Sequence, residues 1–158
     1  MPEDGPTITT SCEETYEFAR RITEVLETGD VIGLTGPLGA GKTVFVKGIA
    51  GGLGMDTPWQ DITSPTYTLQ DIYHLDETLF HCDAYRLDGE HQFLELGWSE
   101  QFPEGITAIE WVDRFRPTID SYVSLIVRIQ IDGDDTRSIR LTPETADMAK
   151  RLQSLHTQ

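Results

Sequence analysis

The sequence is poor in basic residues, and lysine is the scarcest of them. Only three lysines occur in 158 residues, and 12 Lys and Arg oppose 27 Asp and Glu, which gives a formal net charge of −15. A surface of this sign repels phosphate backbones. We therefore predict that the chain does not bind nucleic acid directly over a broad surface.

Cysteines and long apolar runs are also scarce. Cys12 and Cys82 are the two cysteines, and they form no Cys-x-x-Cys pair and no cluster with metal-ligand spacing. The first ten residues, MPEDGPTITT, lack the basic start and apolar run of a signal peptide. No stretch approaches the roughly 20 apolar residues of a membrane span. We expect a cytoplasmic protein with free thiols and no membrane association.

Hydrophobic residues make up 38% of the chain, which is enough for one sizeable core. We predict a single domain over residues 1–158, with fraying at 1–6 and from about 150 to 158. Strands are predicted at Thr7–Thr10, Val31–Thr35, Tyr67–Tyr73, Leu79–Asp83, Ile106–Glu110, Tyr122–Ile131 and Ser138–Leu141. Helices are predicted from Ser11 to about Thr28, from about Lys42 to Leu53, at Glu90–Leu96 and at Pro143–Leu155.

Strands and helices alternate in the first part of this pattern, whereas the last strands pair locally across the turn DGDD. Alternation of this kind indicates an α/β protein, and the local hairpin adds antiparallel pairs to the parallel ones. The expected fold is a three-layer P-loop NTPase-like domain with a mixed parallel and antiparallel sheet. A long loop over 56–66 is predicted from Pro58, Pro65 and their polar neighbours.

A glycine-rich segment between the buried strand Val31–Thr35 and the following helix fits the P-loop pattern G-x-x-x-x-G-K-[ST] in full. Such a loop points backbone N–H groups at phosphate oxygens, and the helix N-terminus favours the same anion. Its lysine carries a full charge to the β- and γ-phosphates, and its threonine hydroxyl binds Mg²⁺. The predicted ATP-binding residues are Gly36, Leu38, Gly39, Ala40, Gly41, Lys42 and Thr43.

Two acids end predicted strands. Asp83 closes LFHCD and Glu110 closes ITAIE, and catalytic groups of open α/β sheets collect at such strand ends. Carboxylates there hold Mg²⁺ or orient the attacking water. We predict Lys42, Asp83 and Glu110 as catalytic residues, with Thr43, Asp83 and Glu110 near the metal.

The order of motifs resembles that of the TsaE family, also called YjeE, which are small bacterial ATPases needed to make threonylcarbamoyladenosine in tRNA. The resemblance covers roughly residues 7 to 142. The segments that carry it are GPLGAGKT at 36–43, SPTYTL at 64–69, HCDAYRL at 81–87 and IEWVD at 109–113.

The resemblance implies roles that single residues do not. It places Ser64 and Thr66 on a switch-like segment that senses the γ-phosphate, and it makes Trp111 functionally required. It also brings Thr10 and Ser11, at the start of the first helix, near the nucleotide. Taken singly, Ser64 and Thr66 fit a plain turn, and Trp111 fits simple packing. His81 alone fits a satisfied core histidine better than a catalytic one. The joint pattern of the segments, and not any single residue, favours functional roles for these residues.

The family resemblance further implies that the chain acts with a TsaB–TsaD complex, in which TsaD performs the carbamoyl transfer. Two other functions remain open on the same P-loop. A small-molecule kinase needs a second substrate site and usually an arginine-bearing lid, and the nine arginines here are scattered. A GTPase switch commonly reads guanine through Asn-Lys-x-Asp, and this sequence contains no asparagine, so guanine recognition by that segment is excluded.

Overall fold

The computed structural model describes residues 5–156, and these contain seven strands in one sheet. The strands are β1 Thr7–Thr9, β2 Val31–Thr35, β3 Gln70–His74, β4 Thr78–Asp83, β5 Ile106–Glu110, β6 Leu125–Ile131 and β7 Arg137–Pro143. Their order across the sheet is β1-β7-β6-β2-β5-β4-β3. The four central strands are parallel, and the pairs at both sides are antiparallel. The predicted mixed α/β sheet is confirmed.

Helices cover both faces of the sheet, as the predicted three layers require. They are α1 Cys12–Ile22, α2 Lys42–Gly52, α3 Pro58–Asp61, α4 Glu90–Leu96, α5 Trp98–Gln101 and α6 Ala146–His156. Side chains alternate along β2, so that Ile32 and Leu34 join the core beneath α1, α2 and α6, while Val31 joins a second core beneath α4 and α5. No helix within residues 5–156 is long and apolar enough to cross a membrane.

Helix α1 is positioned by its cap and by a glycine contact. The Ser11 Oγ accepts the backbone N–H of Glu14 (3.1 Å), so Ser11 is the N-cap of this helix. Gly48 of α2 allows the two helices to approach closely, because a Cβ there would lie 2.4 Å from the carbonyl oxygen of Tyr16. This packing fixes the start of α1 relative to the start of α2.

Several predicted boundaries are wrong, each for a local reason. Helix α1 ends at Ile22 and continues only as a 3₁₀ turn over Thr23–Val25, not to Thr28. Strand β3 begins at Gln70, because Leu69 has φ 70° and its N–H bonds the Pro65 carbonyl in a turn. The predicted loop over 56–66 contains the short helix α3.

The C-terminal segment is more ordered than predicted. Helix α6 continues to His156, and Leu152 and Leu155 are buried in the core, so fraying from about residue 150 is wrong up to 156. Arg151 anchors this helix by donating to both carboxylate oxygens of Asp30 at 2.8 and 2.9 Å. Of the predicted fraying at 1–6, residues 1–4 lie outside the described part of the chain.

Candidate nucleotide-binding site

The P-loop lies between the end of β2 at Thr35 and the start of α2 at Lys42, at the edge of the sheet where the parallel strands end. Gly36, Gly39 and Gly41 all have positive φ angles, and Gly41 occupies the N-cap position of α2. At Gly36 a Cβ would also lie 2.6 Å from the carbonyl oxygen of Ile129. The loop therefore curls back over β6, and the N-terminal N–H groups of α2 face the space that it encloses.

Lys42 is the cation at the centre of this loop. Its side chain is buried, and its Nζ donates to the carbonyl oxygens of Gly36 (2.7 Å) and Pro37 (3.0 Å). Burial lowers the pKa of Lys42 below its ordinary value, and the carboxylates of Glu110, Asp113 and Asp83 act in the opposite direction. An anionic ligand in the loop would further favour the charged ammonium.

The two predicted acids lie side by side. Asp83 and Glu110 are direct register partners on the parallel strands β4 and β5, and both are buried. The Thr43 hydroxyl donates to the Glu110 carboxylate, with distances of 3.0 and 3.2 Å to its two oxygens. The structure thus brings a P-loop hydroxyl and two strand-end carboxylates together.

The predicted switch segment contacts the same acids. Ser64 Oγ donates to Asp83 Oδ2 at 2.6 Å, and Thr66 Oγ1 donates to the same oxygen at 3.1 Å. The other oxygen, Oδ1, accepts the backbone N–H of Tyr85 at 2.8 Å. Both oxygens of Asp83 therefore accept hydrogen bonds, and those to Oδ2 come from the switch-like segment at 64–69.

Trp111 follows Glu110 directly and has a left-handed backbone, with φ 62°. The centre of its ring lies 3.9 Å from Lys42 Nζ, which is a cation–π contact. On the same indole the Tyr85 ring packs with centroids 5.0 Å apart. Trp111 is consequently part of the site wall and not a distant core residue.

A cleft of about 530 Å³ joins these parts. Its lining includes the predicted residues Leu38, Gly39, Ala40, Gly41, Lys42, Thr43, Ser11, Ser64, Thr66, Asp83, Glu110 and Trp111. The predicted residues Gly36 and Thr10 are not part of this lining, and the N–H and hydroxyl of Thr10 both bond the Glu14 carboxylate (2.7 and 3.0 Å). Ser11, one residue later, does reach the cleft.

Arg137 is a site residue that the sequence reasoning missed. From β7 its guanidinium donates to the P-loop carbonyls of Ala40 (3.0 Å) and Gly39 (3.3 Å), and to the carbonyl of Gly133 in the β6–β7 hairpin (2.9 Å). It therefore ties the hairpin to the phosphate loop. The predicted turn DGDD was the available signal, but its place beside the P-loop depends on strand order.

His81 belongs to the segment HCDAYRL but was not among the predicted site residues. It is completely buried, and its Nε2 lies 2.5 Å from Glu110 Oε2. Its Nδ1 has no hydrogen-bond partner among residues 5–156, so the ring is not the fully satisfied core histidine that His81 taken alone suggested. Its polar contact is with a candidate catalytic acid.

These residues fit a nucleoside triphosphate with Mg²⁺. Within residues 5–156 no three His, Cys, Asp or Glu side chains converge as an all-protein metal cage. Mg²⁺ at phosphate sites needs no such cage, because it keeps several waters and binds one or two carboxylates plus the substrate phosphates. Thr43 and Glu110, with Asp83 beside them, are a donor set of that kind.

Comparison with known proteins agrees with this geometry. Residues 9–139 match the family model for the threonylcarbamoyl adenosine biosynthesis protein TsaE. The tRNA threonylcarbamoyladenosine biosynthesis protein TsaE of Treponema pallidum (strain Nichols) is 39% identical over 80% of this chain and 93% of its own length. The protein of the same name from Aquifex aeolicus (strain VF5) is 38% identical over 82% and 89%.

A solved structure extends the similarity to the fold. The crystal structure of Bacillus subtilis YdiB superposes with a TM-score of 0.75 and 31% identity, over 96% of this chain and 93% of that one. The matched family segment contains the P-loop, the switch-like segment and both strand-end acids. The chain therefore belongs to the TsaE family, which takes part in threonylcarbamoyladenosine biosynthesis.

Proposed function

We propose that this chain hydrolyses ATP to ADP and inorganic phosphate in a Mg²⁺-dependent reaction. The proposal is carried by the hydrogen bond from the Thr43 hydroxyl to the Glu110 carboxylate, which is 3.0 Å long. Thr43 directly follows the P-loop lysine. A phosphate-binding loop alone would also suit a simple binding protein. A buried carboxylate held against the P-loop hydroxyl adds a group that can act on the metal or on water.

Each of the main site residues has a role that follows from its position. Lys42 and the N–H groups of the loop bind the β- and γ-phosphates and stabilise charge that develops during cleavage. The Thr43 hydroxyl and the strand-end carboxylates would hold Mg²⁺, which would neutralise charge on the phosphate oxygens. The water that attacks the γ-phosphorus donates a hydrogen bond to Glu110, and this bond orients the water.

The contacts of the cleft-lining arginine favour hydrolysis over a small-molecule kinase. A kinase commonly shields phosphoryl transfer with an arginine-bearing lid. Among residues 5–156, Arg137 is the one arginine that lines the cleft, and it donates to five backbone carbonyls of the loop and hairpin. It supports the loop and is not presented to a second substrate.

Phosphate release from MgATP tests the hydrolysis. We expect release from the wild-type chain that EDTA abolishes, and a fall in kcat of about 100-fold in Glu110→Gln, within the usual range for a positioned acid or base. Asp83→Asn should also slow turnover while the melting temperature stays near that of the wild type. Equal turnover in all three proteins, or transfer of phosphate to an added nucleoside without phosphate release, would contradict the proposal.

We further propose that this hydrolysis powers or resets a TsaB–TsaD type complex during tRNA modification. The family membership supports this role, and the net charge of −15 supports a partner-mediated route to tRNA. The chain offers few groups that neutralise phosphates, and Lys42 is engaged within the cleft.

Binding assays with purified partners test that role. We expect ATP-dependent binding to the TsaB–TsaD pair, a change in ATPase rate on adding the pair, and no measurable tRNA binding by the isolated chain near physiological salt. Binding of tRNA with a steep salt dependence would overturn the partner-mediated route. If the affinity of the chain for the TsaB–TsaD pair is the same with and without ATP, the association does not depend on the nucleotide.

A further inference from the structure

We propose that His81 is a positioning residue that fixes the carboxylate of Glu110 against the Thr43 hydroxyl. This inference deepens the ATPase proposed above and rests on it. It stands on a different observation, because His81 lies outside the cleft lining and, among residues 5–156, its ring makes its hydrogen bond to Glu110.

The strand register places His81 where it can act in this way. His81 on β4 is paired with Ala108 on β5, and Glu110 lies two residues further along that strand. Because side chains alternate, Glu110 projects from the same face as His81. The small side chain of Ala108 leaves room for the imidazole ring to reach the carboxylate.

The hydrogen bonds of Glu110 show what the histidine contributes. Its Oε1 accepts from the Thr43 hydroxyl (3.0 Å), while its Oε2 lies 3.2 Å from that hydroxyl and 2.5 Å from His81 Nε2. A single contact from Thr43 would leave the carboxyl group free to rotate about its last bond. The second contact, from the His81 ring to Oε2, fixes the plane of the carboxylate.

The burial of the ring argues against a purely packing role. His81 is 0% exposed, and a buried polar ring costs free energy unless its nitrogens are paired. With its proton on Nε2 the ring donates to the carboxylate, and Nδ1 keeps only an acceptor lone pair. A residue chosen for packing alone would be apolar at this position.

A double-mutant cycle distinguishes positioning from packing. His81→Leu removes the donor and keeps the ring's approximate volume, whereas His81→Gln places an amide N–H near the position of Nε2. We expect His81→Leu to lower kcat by about 10-fold or more, as outer-shell partners of such sites commonly do, with KM changed less than 3-fold. His81→Gln should recover most of that loss.

The cycle is completed with Glu110→Gln. If His81 acts through Glu110, adding His81→Leu to Glu110→Gln should lower kcat no further. The same fold-loss in both backgrounds would overturn the proposal, as would a His81→Gln variant that is as slow as His81→Leu. Cys82→Ala is the matched control, because Cys82 is the next residue on the strand and faces the opposite core. It should leave kcat near the wild-type value.

Two further measurements keep the test independent of folding and of the ATPase proposal. Melting temperatures and ATP affinity in EDTA report whether each variant keeps its fold and its P-loop. If the wild type releases no phosphate, the ATPase proposal fails. The coupling between His81 and Glu110 is then tested on the ratio of ATP affinities measured with and without Mg²⁺. A ratio lowered in His81→Leu to the value of Glu110→Gln supports positioning, and an unchanged ratio overturns it.

Discussion

The ammonium group of Lys42 lies 3.9 Å from the centre of the Trp111 indole ring. The same Nζ donates to two carbonyl oxygens of the P-loop. Lys42, the proposed phosphate-binding cation, thus contacts both the loop and the strand-end tryptophan. A bound γ-phosphate would compete with the indole for this cation, and this competition would couple the Trp111 environment to the nucleotide.

Trp111 fluorescence should therefore distinguish ATP from ADP. The emission is isolated by Trp59→Phe and Trp98→Phe, the first at a partly exposed site and the second in the core beside Phe93. We expect ATP to change the Trp111 emission more than ADP does, because the γ-phosphate draws Lys42 away from the ring. Identical emission with both nucleotides would contradict a nucleotide-sensing role, and a melting curve of the double variant controls for the change at Trp98.

Lys42→Ala should abolish tight ATP binding. The variant removes the charge aimed at the β- and γ-phosphates, and we expect a loss of affinity on the order of 100-fold. Lys47→Ala is the matched control, because Lys47 lies on the same helix and donates to the Trp59 carbonyl at 2.8 Å. Isothermal titration calorimetry compares the three proteins. Wild-type affinity in Lys42→Ala would mean that the loop does not bind phosphates.

Thr43→Ala should weaken ATP binding in Mg²⁺ more than in EDTA. Its hydroxyl is the proposed metal ligand and also contacts Glu110, so we expect a loss on the order of 10-fold that appears only with the metal. Thr43→Ser keeps the hydroxyl and should retain most of the affinity. Equal losses under both conditions would show that the threonine acts without the metal.

The two cysteines should differ in reactivity. Cys12 is exposed and lines the cleft, whereas burial raises the pKa of the Cys82 thiol to about 12. Since the thiolate is the reactive form, a thiol reagent at pH 8 should modify one cysteine of the folded chain and both after denaturation. MgATP should slow the modification of Cys12. Two equally fast native thiols would contradict the burial of Cys82.

The same thiol makes a pH-dependent contribution to stability. The folded-state pKa of Cys82 lies above its ordinary value of 9.0, so its contribution is complete below about pH 9 and is lost as the pH rises toward 12. The difference in urea midpoint between wild type and Cys82→Ala should shrink across that window. A constant difference would show that the thiol does not titrate there.

The sequence predicted the P-loop and its flanking elements well, since the signals are local. Strand β2, helix α2 and the cap at Ser11 each depend on neighbouring residues, through apolar continuity, glycine positions and a side-chain hydrogen bond. Boundaries that depend on turns, such as the start of β3 after Leu69, were placed three residues early. Residue types along 67–69 favour a strand, and only the hydrogen bond back to Pro65 shows the turn.

What the sequence by itself determined is the chemistry available: a phosphate-binding loop, a threonine hydroxyl, and acids at two strand ends. What only the tertiary structure decided is which groups meet. Arg137 reaches Ala40 across 97 residues, and His81 reaches Glu110 across 29. Both contacts follow from strand order and register. Strand order and register are determined by the burial of both apolar faces of the sheet at once, and no local sequence pattern encodes them.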